Sequence, residues 1–222
     1  VIGNNAKNFS VGANLMNVGM LAMQQEFDEL DKLVDGFQQL NMRIRTCKVP
    51  VVVATQGYVF GGGGDVKMPT LIEHFKTIAT ATVATSAHEA YTHNYLIKGK
   101  DYVATNIQRN IAEAKQKVID LAVGYIAPTP RKDVEVLGRS GLSTLYTAVN
   151  EFRLGEYMSD YDVEIARKVA YVICGGDLTT TQQVSEQYLL DIEREAFLSL
   201  LGNQKTMERI QHMLTTNKPL RN

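Results

Sequence analysis

The chain has 222 residues, 45% hydrophobic and 21% charged, enough apolar content for one sizeable core or two small ones. A formal net charge of -1 excludes any long-range attraction to nucleic acid or to an anionic lipid surface, so an anionic ligand must be held locally. The two cysteines, Cys47 and Cys174, stand without companions at metal-ligand spacing, no leader pattern opens the chain, and no run of 18 apolar residues occurs. The expectation is a cytoplasmic chain with reduced thiols, no nucleic-acid partner and no membrane span.

In chain order, Val1 and Ile2 read as the end of a strand leading into the turn-rich stretch 3–8, so further sequence is expected upstream. Between Met20 and Ile44 the apolar residues Phe27, Leu30, Leu33, Val34, Phe37, Leu40 and Ile44 recur at three-or-four spacing. That spacing predicts a helix with one buried face, and places Asp28, Glu29, Asp31, Lys32 and Asp35 toward solvent. The β-branched run 49–54 predicts a strand covered on both faces, ended by the glycines at 61–64. Helices are predicted over 71–79, over 86–95 with a capping box from Ser86 and Glu89, and over 102–123.

Pro128 and Pro130 then mark a linker. Residues 134–137 read as a short strand or an extended connection and 138–141 as a turn; 142–152, 160–174, 185–201 and 206–214 read as helices. In the stretch 185–201, Leu189, Ile192, Ala196 and Leu200, with Phe197 beside them, form a packing stripe. Asp191, Glu193, Arg194 and Glu195 are expected to be solvated or paired along that contact. The prolines divide the chain into residues 1–127, of α/β character, and residues 128–222, mainly helical.

Two small-residue segments differ from ordinary scaffold. Phe9-Ser10-Val11-Gly12-Ala13-Asn14-Leu15 follows one strand, and Gly57-Tyr58-Val59-Phe60-Gly61-Gly62-Gly63-Gly64 follows another. Both are either simple tight turns or turns that let backbone approach a ligand. If they converge, the N–H groups of Ala13 and Gly62 form an oxyanion hole, which a thioester carbonyl needs when it becomes an enolate.

These segments resemble the crotonase (enoyl-CoA hydratase/isomerase) superfamily. Residues 1–15 resemble its first oxyanion segment, and 48–63, a Pro-Val strand leading to Gly-Gly-Gly, its second. The stretches Ser86-Ala87-His88-Glu89-Ala90 and 185–197, with the closing Lys218-Pro219-Leu220-Arg221-Asn222, resemble the hydratase-side C-terminal part of bacterial bifunctional 3-hydroxyacyl-CoA dehydrogenase/enoyl-CoA hydratase proteins.

The resemblance implies an α/β, crotonase-like (ClpP/crotonase) core over 1–127 with a helical C-terminal extension over 128–222. It implies enoyl-CoA hydratase activity in fatty-acid β-oxidation, with Ala13 and Gly62 as the oxyanion donors. CoA would enter as part of the substrate, with no cofactor in this chain, and NAD only through an attached dehydrogenase domain. A homo-oligomer or docking onto such a domain is expected. Isomerisation, thioester hydrolysis, or an inactive binding and assembly module on the same fold are the alternatives.

One departure from the family pattern matters. Gly64-Asp65-Val66-Lys67-Met68 runs directly into Pro69 where the family has a long stretch bearing a second catalytic carboxylate. A segment is therefore expected to be missing near 63–66, and the core to be incomplete. Asp65 either occupies the first carboxylate position or is a surface acid downstream of the gap.

Other motifs carry less. His88 and His93 sit five residues apart, about 140° around a helix, which does not fit the zinc-protease pattern. His74 and His212 are isolated. Gly61 to Gly64 lacks a following Lys-Ser/Thr, 138–141 is no nucleophile elbow, and no Gly-x-Gly-x-x-Gly follows a strand. Metal, nucleotide and serine-hydrolase chemistry are not expected within this chain.

Overall fold

A computed structural model describes the chain except residues 5, 7, 8, 11 and 56–67. Among the described residues it is mostly helical, with four strands of two or three residues each. The chain forms two compact units interleaved along the sequence. The first comprises Val1–Gly12, Leu40–Gly64 and Thr82–Pro130; the second comprises Ala13–Gln39, Asp65–Ala81 and Arg131–Asn222.

In the first unit, β1 (Ile2–Gly3) pairs in parallel with β2 (Val53–Ala54). The strand predicted over 49–54 thus contracts to two residues, and Val49 and Val53 are exposed rather than covered. Gly3 is there for closeness: a Cβ on it would lie 2.6 Å from Ile111 Cδ1.

The first unit also carries two helices. The Ser86 hydroxyl accepts from Glu89 N–H at 3.0 Å and starts α4 (Ala87–Thr92). Only half of the predicted capping box forms, because the Glu89 carboxylate turns instead to the Thr85 N–H and hydroxyl, both at 2.6 Å. Helix α5 (Asn110–Ala122) follows a 3₁₀ turn at Ile107–Arg109, so the helix predicted from 102 starts later.

The second unit holds most of the buried apolar residues. Asn14 caps α1 (Leu15–Met23), its side chain accepting from Met16 N–H at 3.1 Å and Asn17 N–H at 3.3 Å. Gln25 then adopts a left-handed conformation at φ 60°, and α2 (Phe27–Arg45) begins anew. The single helix predicted over 20–44 is therefore two. A left-handed non-glycine residue costs about 1 kcal/mol, a cost offset by burial of Val18, Ala22, Leu30 and Leu201 in one cluster.

The apolar face predicted for α2 is also corrected. Leu30 is fully buried, but Leu33, Phe37 and Leu40 are exposed and the buried side chain is Gln38. The reason is polar docking against α8 (Glu186–Leu201). Gln38 Nε2 donates to Leu190 O at 3.0 Å and to Glu193 Oε2 at 2.9 Å. Arg194 donates to Asp31 at 2.8 Å and to Asp35 at 2.9 Å, turning two acids predicted to face solvent into partners.

Helix α7 (Asp160–Ile173) packs against α3 (Met68–Ala79), α6 (Gly138–Leu154) and α8. Leu71, Phe75, Leu142, Leu145, Val149, Val163, Ala166, Ala170 and Cys174 form the main cluster. Each large side chain buried there stabilises the fold by roughly 1.5–3 kcal/mol. The turn predicted over 138–141 is the first turn of α6. Its Gly138 has φ +57°, and a Cβ would meet Leu178 O at 2.5 Å.

Strand β3 (Val134–Val136) pairs antiparallel with β4 (Gln182–Val184), and α9 (Gln204–Thr216) closes the chain. The two sheets formed by the described residues have two strands each. The crotonase-like core expected over 1–127 is not formed by them.

Candidate functional site

The expected site is only partly within the described residues. Ala13 is exposed, between Gly12, whose φ is +96°, and the cap Asn14. Gly62, Asp65 and the join expected near 63–66 lie outside the described residues. Elsewhere, His93 Nε2 lies 3.8 Å from Glu89 Oε1 across one helical turn. Among the described residues no group of three or more His, Cys, Asp or Glu converges as a metal site. Burial pushes the Cys174 thiol up to about 11, so it stays protonated at neutral pH.

The polar side chains that do converge lie along α7 in the second unit. Asp160, Glu164, the adjacent pair Arg167 and Lys168, and Tyr171 follow at intervals of three and four residues and line one side of the helix with Val163. With Tyr146 of α6 and Glu195, Ala196 and Ser199 of α8, they line a groove of about 650 Å³. That lies within the roughly 300–1,000 Å³ of small-molecule sites. From Asp160 to Tyr171 the helix rises about 16 Å.

Asp160 and Glu164 lie toward one end of the groove, and Arg167 and Lys168, with Glu195 beside Tyr171, toward the other. Asp160 is neutralised by Arg153 at 2.6 Å, and Glu164 stands one turn on. At the other end the Arg167 guanidinium lies 5.4 Å from the centre of the Tyr146 ring, and its Nη2 donates to Asn150 Oδ1 at 3.0 Å. Burial raises the Tyr146 phenol above its ordinary range, with the Arg167 charge opposing. Burial raises the Tyr171 phenol too, and the negative charge of Glu195 adds to it. None of Tyr146, Arg167, Lys168 or Tyr171 was singled out as a site residue from sequence. The signal was present as a polar stripe on a helix read only for its apolar side.

A second polar cluster serves structure. The buried Asp162 Oδ1 accepts from Arg209 Nη1 at 2.8 Å and Arg221 Nη1 at 3.0 Å. Its Oδ2 accepts from Ser159 N–H at 3.1 Å, and the Ser159 hydroxyl oxygen in turn accepts from Asp162 N–H at 3.1 Å. Burial alone would raise the Asp162 carboxyl. The Arg209 hydrogen bond, the Ser159 donors and the Arg209 charge together hold it below the usual range. Arg209 also lies over the Tyr161 ring at 4.9 Å, and the Tyr161 hydroxyl bonds Thr206.

The chain is 35% identical, over 266 aligned positions covering all of it, to a Bacillus subtilis (strain 168) protein named "Probable 3-hydroxyacyl-CoA dehydrogenase". The match is to a dehydrogenase. The chain spans 34% of that relative's length. Because 266 positions align against 222 residues, the relative carries positions that have no counterpart here. No protein-family model matches the chain. No solved structure matches it.

The crotonase resemblance and the hydratase activity drawn from it are corrected by this finding. Similarity over the whole chain runs to a protein named for the dehydrogenase reaction, and nothing in the comparisons carries hydratase or lyase chemistry. Among the described residues no helix is long and apolar enough to cross a membrane.

A dehydrogenase of this kind brings NAD into consideration, and the described residues do not fit it. A dinucleotide cradle needs free N–H groups at a glycine-rich strand-to-helix turn. The helix that opens on glycine, α6, has its first amides in use: Gly138 N–H donates to Cys174 O at 2.9 Å and Arg139 N–H to Leu178 O at 2.8 Å. Those at the start of α1 are taken by Asn14.

Proposed function

We propose that this chain forms the helical part of a 3-hydroxyacyl-CoA dehydrogenase-type protein of fatty-acid metabolism, cytoplasmic and acting on acyl-CoA thioesters. The observation that carries this reading is the 35% identity extending over the full chain. The helical content suits a supporting or substrate-holding domain, and the use of the α1 and α6 amides by protein acceptors supports a reading in which other residues bind the nicotinamide cofactor. In this reading the second unit supplies a rigid body around α7 and a polar groove on its surface.

A chimera tests the proposal. The stretch of the Bacillus subtilis protein matched by this chain is replaced with the chain itself, and NAD-dependent oxidation of 3-hydroxybutyryl-CoA is followed by absorbance of NADH. The expected outcome is a folded chimera that turns over within about tenfold of the parent, a loss of no more than about 1.4 kcal/mol in transition-state stabilisation. A chimera with native circular dichroism and native oligomeric size but no dehydrogenase activity would overturn the reading.

A further inference from the structure

The basic end of the α7 groove has more hydrogen-bond donors than the protein uses. Arg167 gives a hydrogen bond to Asn150 and otherwise lines the groove, its guanidinium over the Tyr146 ring. Its guanidinium carries five N–H donors, so several remain for a ligand. Lys168 is half-buried, and among the described residues its ammonium makes no ion pair or hydrogen bond. The Tyr146 and Tyr171 hydroxyls likewise donate to no protein acceptor among the described residues, although both rings line the groove. Four donor-bearing side chains thus line one part of the groove, where the carboxylates nearby are Glu195, exposed on the α8 rim, Glu164 one turn back along α7, and Asp177.

We propose that Arg167, Lys168, Tyr146 and Tyr171 form a subsite for the phosphate groups of an acyl-CoA thioester. The inference rests on the acyl-CoA reading and adds a place on this chain for the charged end of that ligand. A phosphate ester offers acceptor oxygens to a preorganised guanidinium and to an ammonium, the pairing these two cations favour. The donor-poor half of the groove, with Glu164 and Ser199, suits amide N–H and hydroxyl groups along the rest of the ligand. The net charge of -1 requires such local capture, because the chain as a whole does not attract anions.

CoA and NAD both carry esterified phosphates, and the test separates them. The full chain is titrated calorimetrically with CoA, with NAD and with inorganic phosphate, as wild type and as Arg167→Gln, Lys168→Gln and Glu195→Gln. CoA should bind the wild type in preference to the other two. Removal of either cation should weaken CoA binding by roughly tenfold or more, and Glu195→Gln should strengthen it about threefold. The Glu195 variant removes a repulsion and puts an amide donor in its place, both of which favour an anion, so a gain in affinity reports the phosphate even if a cation variant folds poorly.

CoA binding unchanged in all three variants would overturn the subsite while leaving the dehydrogenase reading intact. NAD binding as tightly as CoA at the same residues would overturn the acyl-CoA assignment. A chimera without dehydrogenase activity, combined with CoA binding lost in the cation variants, would remove the functional reading and leave the phosphate subsite standing.

Discussion

The two units are built on opposite terms. In the second, the helices α3, α6 and α7 enclose a cluster with Phe75, Leu145, Val149 and Ala170 at or below 1% exposure. In the first, the buried hydrophobic residues among those described are Ala54 and Ala114, while Tyr102, Ile107, Ile119, Val123 and Ile126 are each more than 60% exposed. Alanine removes little apolar surface from water, so two such residues offset only a small part of the entropy of ordering the chain around them. Composition is similar along the sequence; what differs is whether the apolar stripes find one another. The second unit should therefore carry most of the measurable stability.

The strongest test of that difference is Leu145→Ala. Leu145 is fully buried at the centre of the α6–α7 contact, and its truncation should cost about 4 kcal/mol in urea unfolding. A loss below 1 kcal/mol would show that this cluster does not dominate the fold.

Next comes Asp162→Asn, which should cost about 3 kcal/mol at neutral pH because the partly buried Arg209 loses its counter-charge. The pH dependence follows from the depressed carboxyl of the folded state. Its contribution is complete above the unfolded value of about 3.9 and is lost as pH falls through the lower folded value. Wild-type and Asp162→Asn stabilities measured from pH 7 to pH 2 should converge at the acid end. Parallel curves would mean the carboxylate is not what holds Arg209.

The smallest expected effect belongs to the first unit. Ile119→Ser on α5 removes a side chain 62% exposed and should change stability by less than about 0.5 kcal/mol. Amide hydrogen exchange should agree, with α5 opening at far lower free energy than α6 and α7. Protection of α5 equal to that of α7 would erase the contrast between the units.

Much of the helical framework was legible before any coordinates. Ser86 and Ser185 mark true helix starts, and the Leu189, Ile192, Ala196 and Leu200 stripe does face the protein, with Ile192 and Ala196 buried. The groove was not legible. Residues 160–174 read correctly as a helix, but a polar stripe gains meaning only when α6 and α8 wall it in. The hydratase reading drawn from the family resemblance was overturned for a different reason. Motif likeness suggested a reaction, whereas the similarity over the whole chain runs to a protein named for another.

The sequence by itself determined the local elements, because periodicity and capping act over three or four residues: α3, α6, α7, α8 and α9 are each found within a few residues of where they are expected. Tertiary structure alone decided the rest. It broke the helix over 20–44 at Gln25, since a left-handed residue is tolerated only where packing offsets it. It turned the charged side of α2 toward Arg194, since a guanidinium with aspartate partners can dock a helix as apolar contact does. It paired β3 with Gln182–Val184, a stretch without alternation of its own, since strand pairing joins residues far apart in sequence and no local pattern records its partner.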